Sequence, residues 1–193
     1  MKKIFLLLCL FGALSLTAQH NRYGVYVGGT LGFSSAKSNI ENSQGRTKWS
    51  FSPEFGFYPV QQLSVGINLL MDGVSQGDYT TNSFGSGLYC RKFFGVTDNF
   101  SIFIGLNGSY KTTTAKQIYQ YGTVKDVENS VGAFFDLGLS YKMSEKWSIL
   151  GRLGTLGYNK TSNPDNPDYG EKVFGINLNA LGNPFSVGAL YKF

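Results

Sequence analysis

The side chains able to do chemistry in this 193-residue chain are few, and their spacing restricts what they could do. A serine nucleophile needs an imidazole within hydrogen-bond reach. The single histidine, His20, lies at the expected mature N-terminus, away from the serine-rich segments. Carboxylate chemistry has candidates in Asp72, Asp78 and Asp136, but no pair of them has a spacing that demands it. Asp165, Asp168 and Glu171 crowd the stretch NPDNPDYGE, and oxygen ligands of that kind suit calcium. The spacing is not that of an EF-hand loop, and Pro164 and Pro167 with Asn and Gly are ordinary loop residues, so a solvated acidic loop is expected. Cys90 alternates with Leu88 on an apolar face, where an inert thiol is expected and a thiolate is not. No catalytic, cofactor-binding or metal-ligating residue is therefore expected.

A second group is charged and sits among small residues. Glu54, Arg91, Asp136, Lys142 and Arg152 share alternation parity with glycine and serine, not with the bulky apolar residues. The segment TTTAKQIYQYGTVKDVEN (112–129) interleaves Lys116, Tyr119, Tyr121 and Lys125, a pattern that could contact glycan or a partner but is more ordinary for a surface loop, which is the reading expected.

The start of the chain reads as an address. A basic Met1-Lys2-Lys3, an uncharged apolar run from Ile4 to Leu16, and a processing site after Ala18 or Gln19 predict a signal peptide over residues 1–19. The run is shorter than the roughly 20 apolar residues of a spanning helix. Cys9 lies inside it without a small residue before it, which argues against lipidation. Residues 20–193 then form one domain. Its net charge drops to about +3 without Lys2 and Lys3, too small and dispersed an excess for nucleic-acid binding. With Cys90 alone remaining, there is no disulfide framework.

Beyond residue 19 the recurring pattern is period-two alternation rich in glycine and aromatics. In Lys48 to Pro59, Trp49, Phe51, Phe55 and Phe57 alternate with Ser50, Ser52, Glu54 and Gly56. The same contrast marks Tyr23 to Ser34, Leu63 to Val74, Phe84 to Phe94, Phe100 to Lys111, Val131 to Met143, Trp147 to Tyr158 and Phe185 to Phe193, where Leu190 is the one exception. These are eight strands. A soluble barrel or sandwich puts its bulky apolar residues inside. Here the opposite face is too small to be such a core, so the bulky face must be exposed. Tight joints are expected around Val60-Gln61, Thr97-Asp98 and Ser144-Glu145, and long polar loops at Ser35 to Thr47, Ser75 to Thr81, Thr112 to Val127 and Asn159 to Glu171.

Short turns at one end and long loops at the other fit an antiparallel up-and-down transmembrane β-barrel, turns and both termini in the periplasm and loops outside. In lipid every backbone polar group must be paired internally, so the last strand has to meet the first. Aromatics are expected in two belts: Tyr23, Phe57, Phe94, Phe100, Tyr141, Trp147, Tyr191 and Phe193 at the turn end, and Phe33, Trp49, Phe84, Tyr110 and Phe174 at the loop end. A charge inside so narrow a barrel must be paired or wet. Glu54, Arg91, Asp136 and Arg152 are thus expected to form structural ion pairs in the lumen. Counting back from the turn at Val60-Gln61 puts Glu54 roughly opposite Asn68, and counting from the loops puts Arg91 roughly opposite Val65, the two flanking Gly66. Phe174, Ile176, Leu178 and Ala180 are apolar at even positions and Phe185 to Phe193 at odd ones, so a bulge supplying one extra residue is expected at Gly182-Asn183-Pro184.

The stretches SPEFGFYPVQQLSVGINLL (52–70), LYCRKFFGVTDNFSIF (88–103), WSILGRLGTLGY (147–158) and the terminal YKF resemble the small outer-membrane barrel domain of Bacteroidota, related in plan to the OmpA/OmpX type. The resemblance implies an outer-membrane location, lipid and lipopolysaccharide as surroundings, and no cofactor. Tyr191 and Phe193 resemble the terminal signal read by the barrel assembly machinery. The expected function is non-enzymatic, the presentation of surface loops in envelope integrity or surface interaction. A narrow pore ranks second and a barrel enzyme third.

Overall fold

The computed structural model describes residues 24–37, 44–119, 122–164, 166, 170–178 and 186–193. His20, Tyr23, Tyr121, Asp165, Asp168, the signal segment and Gly182-Asn183-Pro184 lie outside these. The strands are β1 (Val25–Ala36), β2 (Arg46–Val60), β3 (Leu63–Gln76), β4 (Tyr79–Gly95), β5 (Phe100–Tyr119), β6 (Gly122–Lys142), β7 (Trp147–Ser162), β8 (Lys172–Leu178) and β9 (Ser186–Lys192). Each pairs antiparallel with its sequence neighbour from β1 through β7. β8 and β9 both pair with β7, and β9 also pairs with β1, which closes the ring. The architecture is thus all-β, with eight strand positions and the eighth shared by β8 and β9.

Period-two alternation dictates the two faces. Leu31, Phe33, Phe55, Ile67, Leu88, Leu106, Val131 and Phe135 project outward and are exposed, while their chain neighbours point into the lumen. Exposed aromatics gather at the turn end in Phe94, Tyr141, Trp147 and Phe193, and towards the other end in Phe33, Trp49, Phe84, Tyr110 and Phe174. Tyr191 bridges Trp147 and Phe193, with ring centroids 5.0 and 5.2 Å away. Cys90 is half-buried on the outward parity, opposite Val65 and Leu106.

Three features differ from the sequence expectation. Ser75 to Thr81 and Thr112 to Val127 are not loops. β3 and β4 run on to a two-residue turn at Gly77-Asp78, with Gln76 facing Tyr79, and β5 and β6 run on until Tyr119 faces Gly122. Their polar residues lack the apolar alternation that marks the lower strands, yet a pair already in register extends by adding one ladder step at a time. Gly77 has φ +56 at the first turn position, the pattern of a type II′ hairpin. Gly77→Ala should therefore cost about 1–2 kcal/mol from the left-handed backbone alone, read as a lower urea midpoint; an unchanged midpoint would rule out that turn.

The second difference concerns the last strands. Leu153 is an extra residue in β7, since Arg152 faces Gly138 and Gly154 faces Leu137. This bulge switches β7 from even positions facing inward to odd ones. Gly151 faces Val187, yet three residues on Gly154 faces Leu178, nine residues earlier in the chain. The register of the eighth strand against β7 therefore jumps by six residues and not by the single residue expected. The change of apolar parity between Phe174 and Val187 follows the bulge in β7.

The third difference is Lys142. Read from its parity as a lumen charge, it is exposed at the turn end, opposite Ser148, and among the described residues it forms no ion pair.

Candidate functional site: a filled lumen and an extended sheet

The lumen is layered from the turn end upward. Tyr26, Tyr89, Phe93, Phe103, Leu150 and Leu190 form a buried cluster, with Tyr58 packed against it. Tyr58 lies 5.1 Å from Tyr26 and 6.2 Å from Phe93, and Phe93 lies 5.7 Å from Phe103, centroid to centroid. Two inward glycines provide the room. A Cβ on Gly138 would collide with the Phe103 ring, and one on Gly66 would collide with the Tyr89 hydroxyl and the Phe55 carbonyl. Sequence reasoning missed this plug because small residues dominate the inward face. The signal was present: Phe103 shares parity with Ser101 and Gly105, Leu150 with Ser148 and Arg152, and Leu190 interrupts the polar face of its strand.

Above the plug lies a charged layer. Arg91 donates from Nη1 to Glu54 Oε1 at 2.7 Å and from Nη2 to Oε2 at 2.8 Å, a bidentate pair with both side chains 2 % exposed. Glu54 faces Asn68, as counted from the turn, whereas Arg91 faces Ser64, one residue from the expected Val65. The guanidinium carbon stands 4.0 Å over the Tyr89 ring, a cation–π contact. Tyr89 and Tyr26 hydroxyls share a 2.8 Å hydrogen bond. Tyr89, not open space, fills the gap over Gly66. Across Gly105 from Arg91, Asp136 accepts a hydrogen bond from Asn107 Nδ2 at 2.7 Å and forms an ion pair with Arg152, whose Nε lies 3.3 Å from Oδ2. Two anions and two cations therefore compensate each other within the layer. Among the described residues, Asn68 Oδ1 and Arg91 Nε are buried here without a hydrogen-bond partner.

Higher still the lumen is polar and wetter. Lys111 Nζ meets Asp72 Oδ1 at 3.0 Å, with both side chains about one-third exposed, and the Ser83 and Thr113 hydroxyls share a 2.9 Å bond. Asp78 occupies the β3–β4 turn. In the acidic segment Glu171 is exposed, and its carbonyl accepts from the backbone N–H and the hydroxyl of Thr161. Among the described residues no group of three His, Cys, Asp or Glu side chains could hold a metal ion.

Beyond the upper aromatics, β3 to β6 continue as a sheet. A membrane-crossing strand needs about 9–11 residues, whereas β5 has 20 and β6 has 21. The stretch from Thr112 to Tyr119 therefore rises roughly 25–30 Å along the strand past the apolar band. Tyr79, Ile118, Tyr119 and Val124 are exposed near its tip.

A closed antiparallel ring that is bulky and apolar outside and polar and charged inside is the arrangement a lipid-embedded barrel requires. The family model for the outer membrane protein beta-barrel domain matches residues 4–193. The chain belongs to that family. It is an outer-membrane β-barrel whose strands cross the membrane. Among solved structures, Neisserial surface protein A is similar at 14 % identity with a TM-score of 0.51, over 90 % of this chain and 100 % of that one. The translocator domain of autotransporter NalP from Neisseria meningitidis aligns at 11 % identity and TM-score 0.48, over 97 % of this chain and 66 % of that one. The attachment invasion locus protein Ail of Yersinia pestis aligns at 10 % identity and TM-score 0.45, over 89 % and 97 %. At these identities the likeness to Neisserial surface protein A speaks for the fold alone, and the two lower scores carry no argument. No curated protein matches in sequence.

Proposed function

We propose that this barrel is non-enzymatic and anchors the extended β3–β6 sheet at the cell surface, in envelope integrity or surface interaction, with the turns and both termini in the periplasm. The observation that carries this reading is the lumen filling. Tyr58, Phe93, Phe103 and Leu150 occupy the turn end, and the Glu54–Arg91 pair lies directly above them. Eight-stranded barrels have room for side chains and little more. Of the three carboxylates weighed for catalysis, Asp72 is paired with Lys111 and Asp136 with Arg152, and Asp78 lies in the β3–β4 turn outside the lumen.

A narrow pore is the second reading, favoured by the part-exposed Asp72–Lys111 pair in the upper lumen. Planar-bilayer recording separates the two. The folded protein is expected to give no steady conductance, because the plug and the charged layer fill the turn end of the lumen with side chains. Reproducible wide steps would overturn the anchoring function.

A further inference from the structure

Two pairs of lysines stand directly opposite each other across strands, Lys160 with Lys172 and Lys116 with Lys125. Like charges so placed destabilise a sheet. All four side chains are exposed, and among the described residues no carboxylate forms an ion pair with any of them. An arrangement of this kind is stabilised by an anion bound between the two ammonium groups.

The position of the first pair selects the anion. Tyr158 faces Phe174 two residues below Lys160 and Lys172, and both aromatics are exposed on the outer wall. They belong to the upper aromatic belt, where side chains sit at headgroup level. Lys160 and Lys172 therefore lie about 7 Å further along the strands, where lipid phosphates run. Leu156 and Ile176 continue the same outward face downward as an exposed apolar track. Lys160 also faces Val131, and Asn129, two residues beyond Val131 on β6, adds an amide to the same wall. Lys116 and Lys125 stand six residues past Tyr110 and Val131, about 20 Å along the strands. They are beyond the reach of a headgroup.

We propose that Lys160 and Lys172 clamp the phosphate of an anionic outer-leaflet lipid, whose chains descend over Tyr158, Phe174 and Ile176. Charge complementarity and continuity with the apolar wall select this occupant over a soluble anion. The assignment to the outer leaflet rests on the orientation proposed above; the clamp itself does not.

The test uses the full folded barrel in phosphatidylcholine nanodiscs, which are symmetric and so independent of orientation. Retention of lipid A carrying its phosphates is titrated by native mass spectrometry. Lys160→Gln or Lys172→Gln alone should weaken retention about fivefold and the double substitution about thirtyfold. Dephosphorylated lipid A should bind the native barrel as weakly as the double variant binds the phosphorylated form. Lys160→Arg/Lys172→Arg, which keeps both charges, and Lys116→Gln/Lys125→Gln should match the native protein. Heat-modified mobility verifies that each variant is folded. Retention by the double Gln variant within twofold of native, indifference to dephosphorylation, or equal loss on substituting Lys116 and Lys125 would each overturn the clamp. So would competition by inorganic phosphate at the affinity of the lipid, since that would make a soluble anion the occupant.

Discussion

Glu54→Gln or Arg91→Met, each made alone, is expected to lower the stability of the folded barrel by about 3–5 kcal/mol. The two side chains are almost fully withdrawn from water and joined by two charge-assisted hydrogen bonds. Removing Arg91 leaves Glu54 without a bonded cation, and removing Glu54 leaves Arg91 without a hydrogen-bonded carboxylate, with Asp136 across Gly105 as the nearest remaining anion. Arg91 would retain the faces of Tyr89 and Phe103, at 4.0 and 5.8 Å from its guanidinium carbon. Glu54 has no second cation bonded to it among the described residues. The double variant should recover much of the loss, because replacing a buried ion pair by neutral groups of similar volume is often close to neutral. Urea unfolding in liposomes, with heat-modified electrophoretic mobility reporting the folded fraction, measures all three. Additive single effects in the double variant would show that the residues are uncoupled and the pair is absent in the folded barrel.

Phe103→Ala is expected to cost a similar amount, about 3–5 kcal/mol, for an apolar reason. The ring is 2 % exposed, packs against Phe93 and lies over Gly138, which has no side chain to move into the cavity left behind. The strands on either side are held in register by the closed ring, so the wall cannot collapse inward to fill it. Phe103→Leu should cost distinctly less, since most of the volume is kept. An unfolding midpoint for Phe103→Ala within error of the native value would mean that the plug is not packed. The lower lumen would then be open to water, and the anchoring function would lose its main support.

The clamp at Lys160 and Lys172 and the plug at Phe103 divide the molecule between its two faces. One face is adapted to hydrocarbon and headgroups and the other to filling a narrow interior. The outer wall can vary widely in apolar identity, because lipid packs against any shape. The lumen has no such freedom. Arg91 needs Glu54 in place, Phe103 needs the space over Gly138, and Tyr89 needs the space over Gly66.

Much of this was legible in the residues alone. Strand alternation is a local property, so Trp49, Phe51, Phe55 and Phe57 against Ser50, Ser52, Glu54 and Gly56 declare two faces without reference to any partner. A tight turn transmits register from one strand to the next, which is why Glu54 is set correctly against Asn68, whereas Arg91, counted from the loop side where no tight turn is evident in the sequence, falls one residue from its true partner. The inward parity of Asp136 and Arg152 was equally plain. Lys142 misled because parity says which face a residue takes and not how far along the strand the lumen extends. Thr112 to Val127 misled because a polar strand above the membrane has no buried face to write an alternation into its sequence; it is held by the ladder below it. The plug and the seam required the closed ring. Phe103, Leu150 and Leu190 come from strands distant in sequence and meet only when β9 pairs with β1 and β7. The bulge at Leu153 and the six-residue register jump between β8 and β9 depend on how β7 meets the eighth strand, a long-range match that no local pattern records.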